Sequence, residues 1–308
     1  MSKTAILFPG QGSQYVGMGQ DLLASDPEAR ELMAMAEEIS GFSLGKLCTE
    51  GPMDELTRTL HLQPAMTVVN LMIWQALAKT GLKVDFFAGH SLGEYSALAA
   101  SGVLSADDCL RLVTERGRLM EREAKANPGA MSAILKLDIK AVEEVVAGSQ
   151  DRGVVTVANF NTAQQIVISG EAAAVAAAGD LATEKGGRAI PLPVSGAWHS
   201  ELVAGAIPDF KEAMAKITFN APQAPVIFNV TAAPENEPGE ISAIMSKQIA
   251  ARVRWCEIIT AMHEQGVTTF IEVGPKKVLT GMMKKLLPKG HGCTCVQVED
   301  MAGIEGLG

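Results

Sequence analysis

The amino-acid sequence predicts an α/β fold: a large domain on a mainly parallel sheet, interrupted by a small inserted ferredoxin-like subdomain. Three observations carry this reading. Short apolar runs alternate with longer segments of helical periodicity towards both ends of the chain, as expected for strands covered by helices. The sharpest turn signal, Gly89-His90-Ser91-Leu92-Gly93, falls between one such run and one such segment. Between Asn127-Pro128-Gly129 and Pro193 the pattern becomes β-α-β-β-α-β, the ferredoxin-like order. The expected limits are 1–127 and 194–308 for the large domain and 128–193 for the inserted subdomain.

Taken in order, Thr4 to Phe8 reads as a buried strand that runs into the glycine-rich loop Pro9-Gly10-Gln11-Gly12-Ser13-Gln14. The loop lacks the GK[ST] ending of a phosphate loop. Asp26-Pro27 starts a helix carrying Leu32, Met35, Ala36 and Ile39, and Pro64 to Lys79 reads as a buried helix stopped by Gly81. Val84 to Ala88 is a strand, Leu92 to Ser101 a helix, and Ser105 opens a helix through Leu110, Val113 and Met120. The inserted unit reads as strands Met131–Leu137, Val154–Asn159, Gln165–Ser169 and Arg188–Leu192, with helices Ile139–Val146 and Glu171–Lys185. After it come a helix from Ser200 to Lys216, a strand Val226–Val230, helices Ile241–Ala251 and Cys256–Gln265, a strand Thr268–Val273, a helix Lys277–Leu287 and a last strand Thr294–Val298.

Composition narrows the function. The chain has 308 residues, 47% hydrophobic and 20% charged, an ordinary globular mix with a large core. Its net charge of −9 argues against general nucleic-acid binding, which needs clustered Lys and Arg. Five cysteines without a CxxC spacing indicate neither a disulfide framework nor a zinc site. No apolar stretch reaches bilayer length, and the N-terminal run is too short for a signal peptide. A cytoplasmic protein without a metal is the expectation.

Gly89-His90-Ser91-Leu92-Gly93 fits the GxSxG nucleophile elbow, in which a serine sits on a strained strand-to-helix turn flanked by residues without Cβ. A serine hydroxyl needs a base, usually histidine. His90 adjoins Ser91 on a tight turn and points away from it, whereas His199 lies in the loop Ser195-Gly196-Ala197-Trp198-His199, just past the inserted unit. The alternative for His199 is a helix-start residue with a local hydrogen bond. His61, His263 and His291 read as surface or packing residues.

The motifs Phe8-Pro9-Gly10-Gln11-Gly12-Ser13-Gln14, Gly89-His90-Ser91-Leu92-Gly93-Glu94, Gln165 to Gly170, Ser195 to His199 and Glu272 to Thr280 resemble, in order, those of malonyl-CoA:acyl carrier protein transacylases. The resemblance spans nearly the whole chain. It implies an α/β-hydrolase-like large domain with a ferredoxin-like insertion, Ser91 as nucleophile and His199 as base, oriented by backbone carbonyls rather than a carboxylate. It implies Gln11 and Leu92 as oxyanion-hole N–H donors, Arg116 as the grip on the free malonyl carboxylate, and Gln248 as a residue that orders the site. His90 and Trp198 join Arg116 and Gln248 as candidate substrate-binding residues.

A planar guanidinium suits a carboxylate because two parallel hydrogen bonds match its geometry. The alternative for Arg116 is a solvated helix arginine paired with Glu115 or Glu123, with Arg118 as the neighbouring candidate. Trp198 stands where many malonyl-selective members carry Phe. A flat, bulky side chain there narrows the pocket against methylmalonyl, although plain packing would also explain it.

The implied reaction moves a malonyl group from malonyl-CoA to the phosphopantetheine thiol of acyl carrier protein, in fatty-acid biosynthesis, by a monomer with no cofactor. Lys284 and Lys285, with Lys276 and Lys277, form a possible docking face for an acidic carrier protein; the alternative is a solvated helix face. The rivals are an acyltransferase of a polyketide, polyunsaturated fatty-acid or malonate decarboxylase system, a serine hydrolase, and a silent scaffold.

Overall fold

Alternation along the first strand sets the architecture. In β1 (Lys3–Phe8), Ile6 and Phe8 face one core while Ala5 and Leu7 face another, so the strand is buried on both sides. The computed structural model describes residues 2–307. β1 lies between β2 (Phe86–Gly89) and a later strand, Val267–Val273, which pairs in turn with Thr294–Val298; all four run parallel. The chain leaves β1 to form the strand on one side and returns much later to form the strand on the other. The loops after these strands therefore meet at one edge of the sheet, where open α/β sheets hold their ligands.

The inserted unit carries β3 (Ala130–Leu135), β4 (Val155–Thr162), β5 (Gln165–Gly170) and β6 (Arg188–Pro191), in the order β4-β5-β3-β6 with every pair antiparallel. This is the ferredoxin-like order, and we propose residues 128–193 as the subdomain. Ile134, Val155, Val157, Ile166 and Ile168 pack under its own two helices. Met131, Ala133 and Val167 point the other way, into the core of the large unit. The small sheet thus forms one wall of the space above β2. The two remaining strands of the parallel sheet are β7 (Val267–Val273) and β8 (Thr294–Val298).

Three expectations change. The expected strand Val226–Val230 does not form: Val226 and Ile227 make only isolated bridges, to Phe87 and Pro234. The ladder stops because the Asn229 N–H is taken by a side chain, Glu94 Oε1, at 2.6 Å, and Ala232 turns the chain at φ 53°. The helix expected from Pro64 begins at Thr59 and contains the proline, since His61, Leu62 and Gln63 are buried as well. The segment expected as one helix from Ser200 is a 3₁₀ turn, Glu201–Ala206, followed by an α-helix, Ile207–Met214, whose first turn holds Pro208. Short helices at Gln20–Ser25, Leu44–Glu50, Met53–Thr57 and Met301–Glu305 had no periodic signal long enough to read.

At the strand ends the loops pack backbone on backbone. A Cβ on Gly93 would overlap the carbonyl of Phe8 at the end of β1, and one on Gly89 would overlap the Gly93 carbonyl. Gly93→Ala is expected to lower stability by about 3 kcal/mol, because backbone rather than a flexible side chain must move. Gly239→Ala, in open space on the first turn of the helix Pro238–Gln248, should stay within about 0.5 kcal/mol. Urea unfolding of the two variants checks both.

Candidate active site

Ser91 stands on the turn between β2 and the helix Gly93–Ala100, with φ 52°, a left-handed conformation that a non-glycine residue holds only when its surroundings fix it. Three contacts fix it. Asn229 accepts from the Ser91 N–H at 2.8 Å while donating to the Gly89 carbonyl at 2.7 Å, and Gln248 Nε2 donates to the Ser91 carbonyl at 2.7 Å. The hydroxyl is thereby aimed into a cavity of about 170 Å³ lined by Gln11, Arg116, Trp198 and His199.

Inside that cavity Ser91 Oγ lies 2.7 Å from His199 Nε2. The other ring nitrogen, Nδ1, faces two carbonyls, Ala251 at 2.9 Å and Gln248 at 3.2 Å. Carbonyls only accept, so Nδ1 carries the proton and Nε2 is left as the acceptor for the serine. Burial, with the Arg116 charge behind it, pushes the His199 imidazole down to about 3. The ring is neutral around pH 7, the form a general base requires.

Arg116, on the helix Ala106–Ala126, is 1% exposed. Its Nη1 donates to Gln63 Oε1 at 2.9 Å, and its Nη2 donates to Gln248 Oε1 at 3.1 Å and to Ser91 Oγ at 3.4 Å. The guanidinium also lies 5.5 Å from the Tyr95 ring centre. Arg118 points outward and pairs with Glu115 at 2.5 Å. A larger groove of about 540 Å³ holds that outer pair and none of the residues around Ser91.

The N–H groups of Gln11 and Leu92 donate to no protein acceptor among the described residues, and both residues line the cavity beside Ser91. The Gln11 loop is held from below, where Asn70 Nδ2 donates to the Pro9 carbonyl at 3.1 Å. His90 turns away from the serine: its Nε2 sits 2.8 Å from Asn161 Oδ1 and its ring packs edge-on against Trp255. Trp198 is 5% exposed, and its six-membered ring lies where a Cβ on Gly196 would go. The side chain thus lines the cavity and also packs against Gly196. Lys284 and Lys285 are exposed on the last turn of the helix Val278–Leu286, outside the cavity.

The roles of three residues that organise this arrangement, Glu94, Gln63 and Asn229, were not legible in the sequence. Glu94 is fully buried and accepts from Asn229 N at 2.6 Å and Gln248 Nε2 at 2.9 Å, and Gln63 braces Arg116. Their only signal is a polar residue embedded in an otherwise buried segment, shared by Gln63 in its apolar helix and Asn229 in its apolar run.

A serine aimed at a neutral imidazole, with two free N–H groups beside it and a buried guanidinium across from it, is equipped for acyl transfer through a serine ester. A family model for the acyl transferase domain matches residues 6–303. The chain belongs to the acyl transferase family. Among its relatives, the malonyl CoA-acyl carrier protein transacylase of Bacillus subtilis is 44% identical over 93% of this chain and 91% of its own length. A crystal structure of an acyl carrier protein S-malonyltransferase from Vibrio cholerae superimposes with a TM-score of 0.94 at 40% identity, covering 100% of both chains. A malonyl-transacylase solved in complex with a type II PKS acyl-carrier protein gives a TM-score of 0.93 at 36% identity, covering 99% of this chain and 98% of the other.

For this acyltransferase, the buried imidazole has a direct consequence. An imidazole of ordinary pKa would be about 3% neutral at about pH 5, so phosphonylation of Ser91 by a fluorophosphonate would slow roughly 25-fold from about pH 7. With His199 held down by burial, the rate is expected to stay within about two-fold over that range. An acid limb centred near about 6.5 in the labelling rate would show that His199 titrates as an exposed histidine.

Proposed function

We propose that the chain transfers a malonyl group from malonyl-CoA to the phosphopantetheine thiol of an acyl carrier protein, through an ester on Ser91, in fatty-acid biosynthesis. The observation that carries this reading is the convergence of His199 Nε2 at 2.7 Å and Arg116 Nη2 at 3.4 Å on the one oxygen, Ser91 Oγ. One group makes that oxygen a nucleophile. The other places a cation where the far end of a short acyl chain would lie.

In the first half-reaction Ser91 Oγ attacks the thioester carbonyl and His199 Nε2 takes its proton. The Gln11 and Leu92 N–H groups hold the oxyanion. As the C–S bond breaks, His199 returns the proton to the leaving thiolate, and the Ser91 ester remains. In the second half-reaction the carrier thiol gives its proton to His199 and attacks the ester carbonyl; as the bond from Ser91 Oγ to the acyl carbon breaks, His199 returns that proton to Ser91 Oγ, and the malonyl group leaves as the carrier thioester. No metal or redox group is needed for either half. Arg116 grips the free carboxylate of the malonyl group, and Gln63 and Gln248 keep its planar fork facing the cavity. A neighbouring cavity of about 340 Å³ shares Gln11 and Val194 with the catalytic one and offers a path for the pantetheine arm.

The related transacylase captured with a polyketide carrier protein supports the same chemistry with another acceptor, so the pathway is decided by which carrier protein is served. Hydrolysis is disfavoured because the base is oriented by carbonyls of Gln248 and Ala251, and because Arg116 is committed to an anionic acyl group. Among the described residues no helix is long and apolar enough to cross a membrane. All five cysteines are free, which suits a reducing cytoplasm.

Three measurements test the reading. Ser91→Ala is expected to abolish covalent labelling by radioactive malonyl-CoA; a variant that still labels overturns the mechanism. Arg116→Ala should lose about 100-fold or more in kcat/KM for malonyl-CoA while changing turnover of acetyl-CoA far less, since only the former presents a carboxylate. Reversal of Lys284 and Lys285 to Glu should raise KM for the carrier protein several-fold at low salt and leave acylation by malonyl-CoA unchanged. An unchanged KM would make these lysines a solvated face.

A further inference from the structure

The site contains two buried charges that do not touch. Arg116 is 1% exposed and Glu94 is 0% exposed. Every hydrogen-bond partner of Arg116 is uncharged: Gln63, Gln248 and Ser91. The partners of Glu94 are the Asn229 N–H and Gln248 Nε2. The Gln248 amide stands between them, accepting from the guanidinium at 3.1 Å and donating to the carboxylate at 2.9 Å.

A buried cation is tolerated only with compensating charge nearby. Glu94 is the acid placed to supply it, through one amide rather than by direct contact. A direct ion pair would occupy the fork of the guanidinium and close it to substrate. Relayed through Gln248, the compensation is kept and the edge facing Ser91 stays available. When a substrate carboxylate then reaches Arg116, the site would hold two anions against one cation in a low-dielectric interior. Protonating the anion that has no direct cation contact relieves this excess.

We propose that Glu94 is the counter-ion of Arg116 in the empty enzyme, and that seating the acyl carboxylate on Arg116 draws one proton from the buffer onto Glu94. This rests on the malonyl reading given above.

The other titratable groups around Glu94 do not compete for that proton. His90 and Tyr95 come from its own turn and helix, Cys109 from the helix Ala106–Ala126 beside Arg116, and His199 from the loop after the small sheet. Burial lowers both histidines, so they stay neutral, and raises Tyr95 and Cys109 far above neutral pH. Asn229 and Gln248 bring amides, and β1, β2 and the helix Thr59–Ala78 bring no charged group to it. Burial pushes Glu94 itself up to about 7, against the pull of its hydrogen bonds and of Arg116, so it can change charge in the working range. The direction of the pH effect follows. Below this value Glu94 already holds its proton and the acyl carboxylate binds unopposed. Above it, binding must draw the proton from an ever more dilute supply and weakens.

Calorimetry of malonyl-CoA binding to the Ser91→Ala enzyme, in two buffers of different ionisation enthalpy at about pH 8, measures the proton count directly. Coenzyme A, which has the same phosphates and no acyl carboxylate, is the control. The expected result is uptake approaching one proton with malonyl-CoA beyond that seen with coenzyme A. The Kd for malonyl-CoA should weaken roughly ten-fold between about pH 6 and about pH 8. Adding Glu94→Gln should abolish the uptake and flatten the pH dependence. No excess uptake in the Ser91→Ala enzyme overturns the proposal, and this needs no substitution at Glu94 and so no assumption about the folding of that variant. Persistent uptake in a folded Glu94→Gln protein also overturns it. Wild-type Ser91 that cannot be labelled by malonyl-CoA removes the reading underneath, and the proposal with it; labelling without proton uptake removes the proposal alone.

Discussion

Everything in this site depends on how closely three strand ends approach one another. The loops after β1, β2 and β7 stack closely: Gly93 against the Phe8 carbonyl, Gly10 against the His90 carbonyl, and Gly274 against the Pro9 ring and the Asn70 side chain. A methyl group at any of these positions would push the loops apart. With the loops in contact, Ser91 is held at φ 52°, and Gln11 and Leu92 line one cavity. The strained turn is stable because the elements around it leave it no room to relax.

Electrostatics complete what packing begins. A Ser-His pair commonly borrows a carboxylate to orient its imidazole and to stabilise the imidazolium. Here the orienting groups are two carbonyls, and a guanidinium lies nearby. Burial and the guanidinium disfavour a protonated ring by more than the two carbonyl hydrogen bonds favour it, so the His199 ring rests neutral. A carboxylate at Nδ1 would have favoured the protonated ring and added a third charge to a buried region that already holds Arg116 and Glu94.

Much of this could be read in the sequence, for identifiable reasons. The elbow was legible because steric demand at Ser91 fixes residue types two positions either side. The small sheet was legible because its strands and helices alternate with clear periods, and its observed order, β4-β5-β3-β6, is the one the element order predicts. The broken strand at Val226 was not legible: its apolar run is genuine, but Asn229 leaves the ladder to hold Ser91, and local sequence cannot reveal a partner 138 residues away. Glu94 stood inside a recognised motif and was passed over because a glutamate on a first helical turn ordinarily faces solvent. Gln63 lay beside a proline taken as a helix start, which hid it from the pattern.

The amide at Gln248 draws these strands together, and its chemistry explains why no other side chain would serve. It must accept from Arg116 on one side and donate to Glu94 and to the Ser91 carbonyl on the other, while its own main-chain carbonyl receives the His199 Nδ1 proton. A glutamate there could accept but not donate, and it would pair with the guanidinium directly, taking the edge that substrate needs. A methionine of similar length would leave Glu94 short of a donor and Arg116 short of an acceptor, both buried. One neutral group with a donor and an acceptor end lets a buried cation and a buried anion compensate each other without meeting. It also ties Ser91, His199 and Arg116 to one point of the fold.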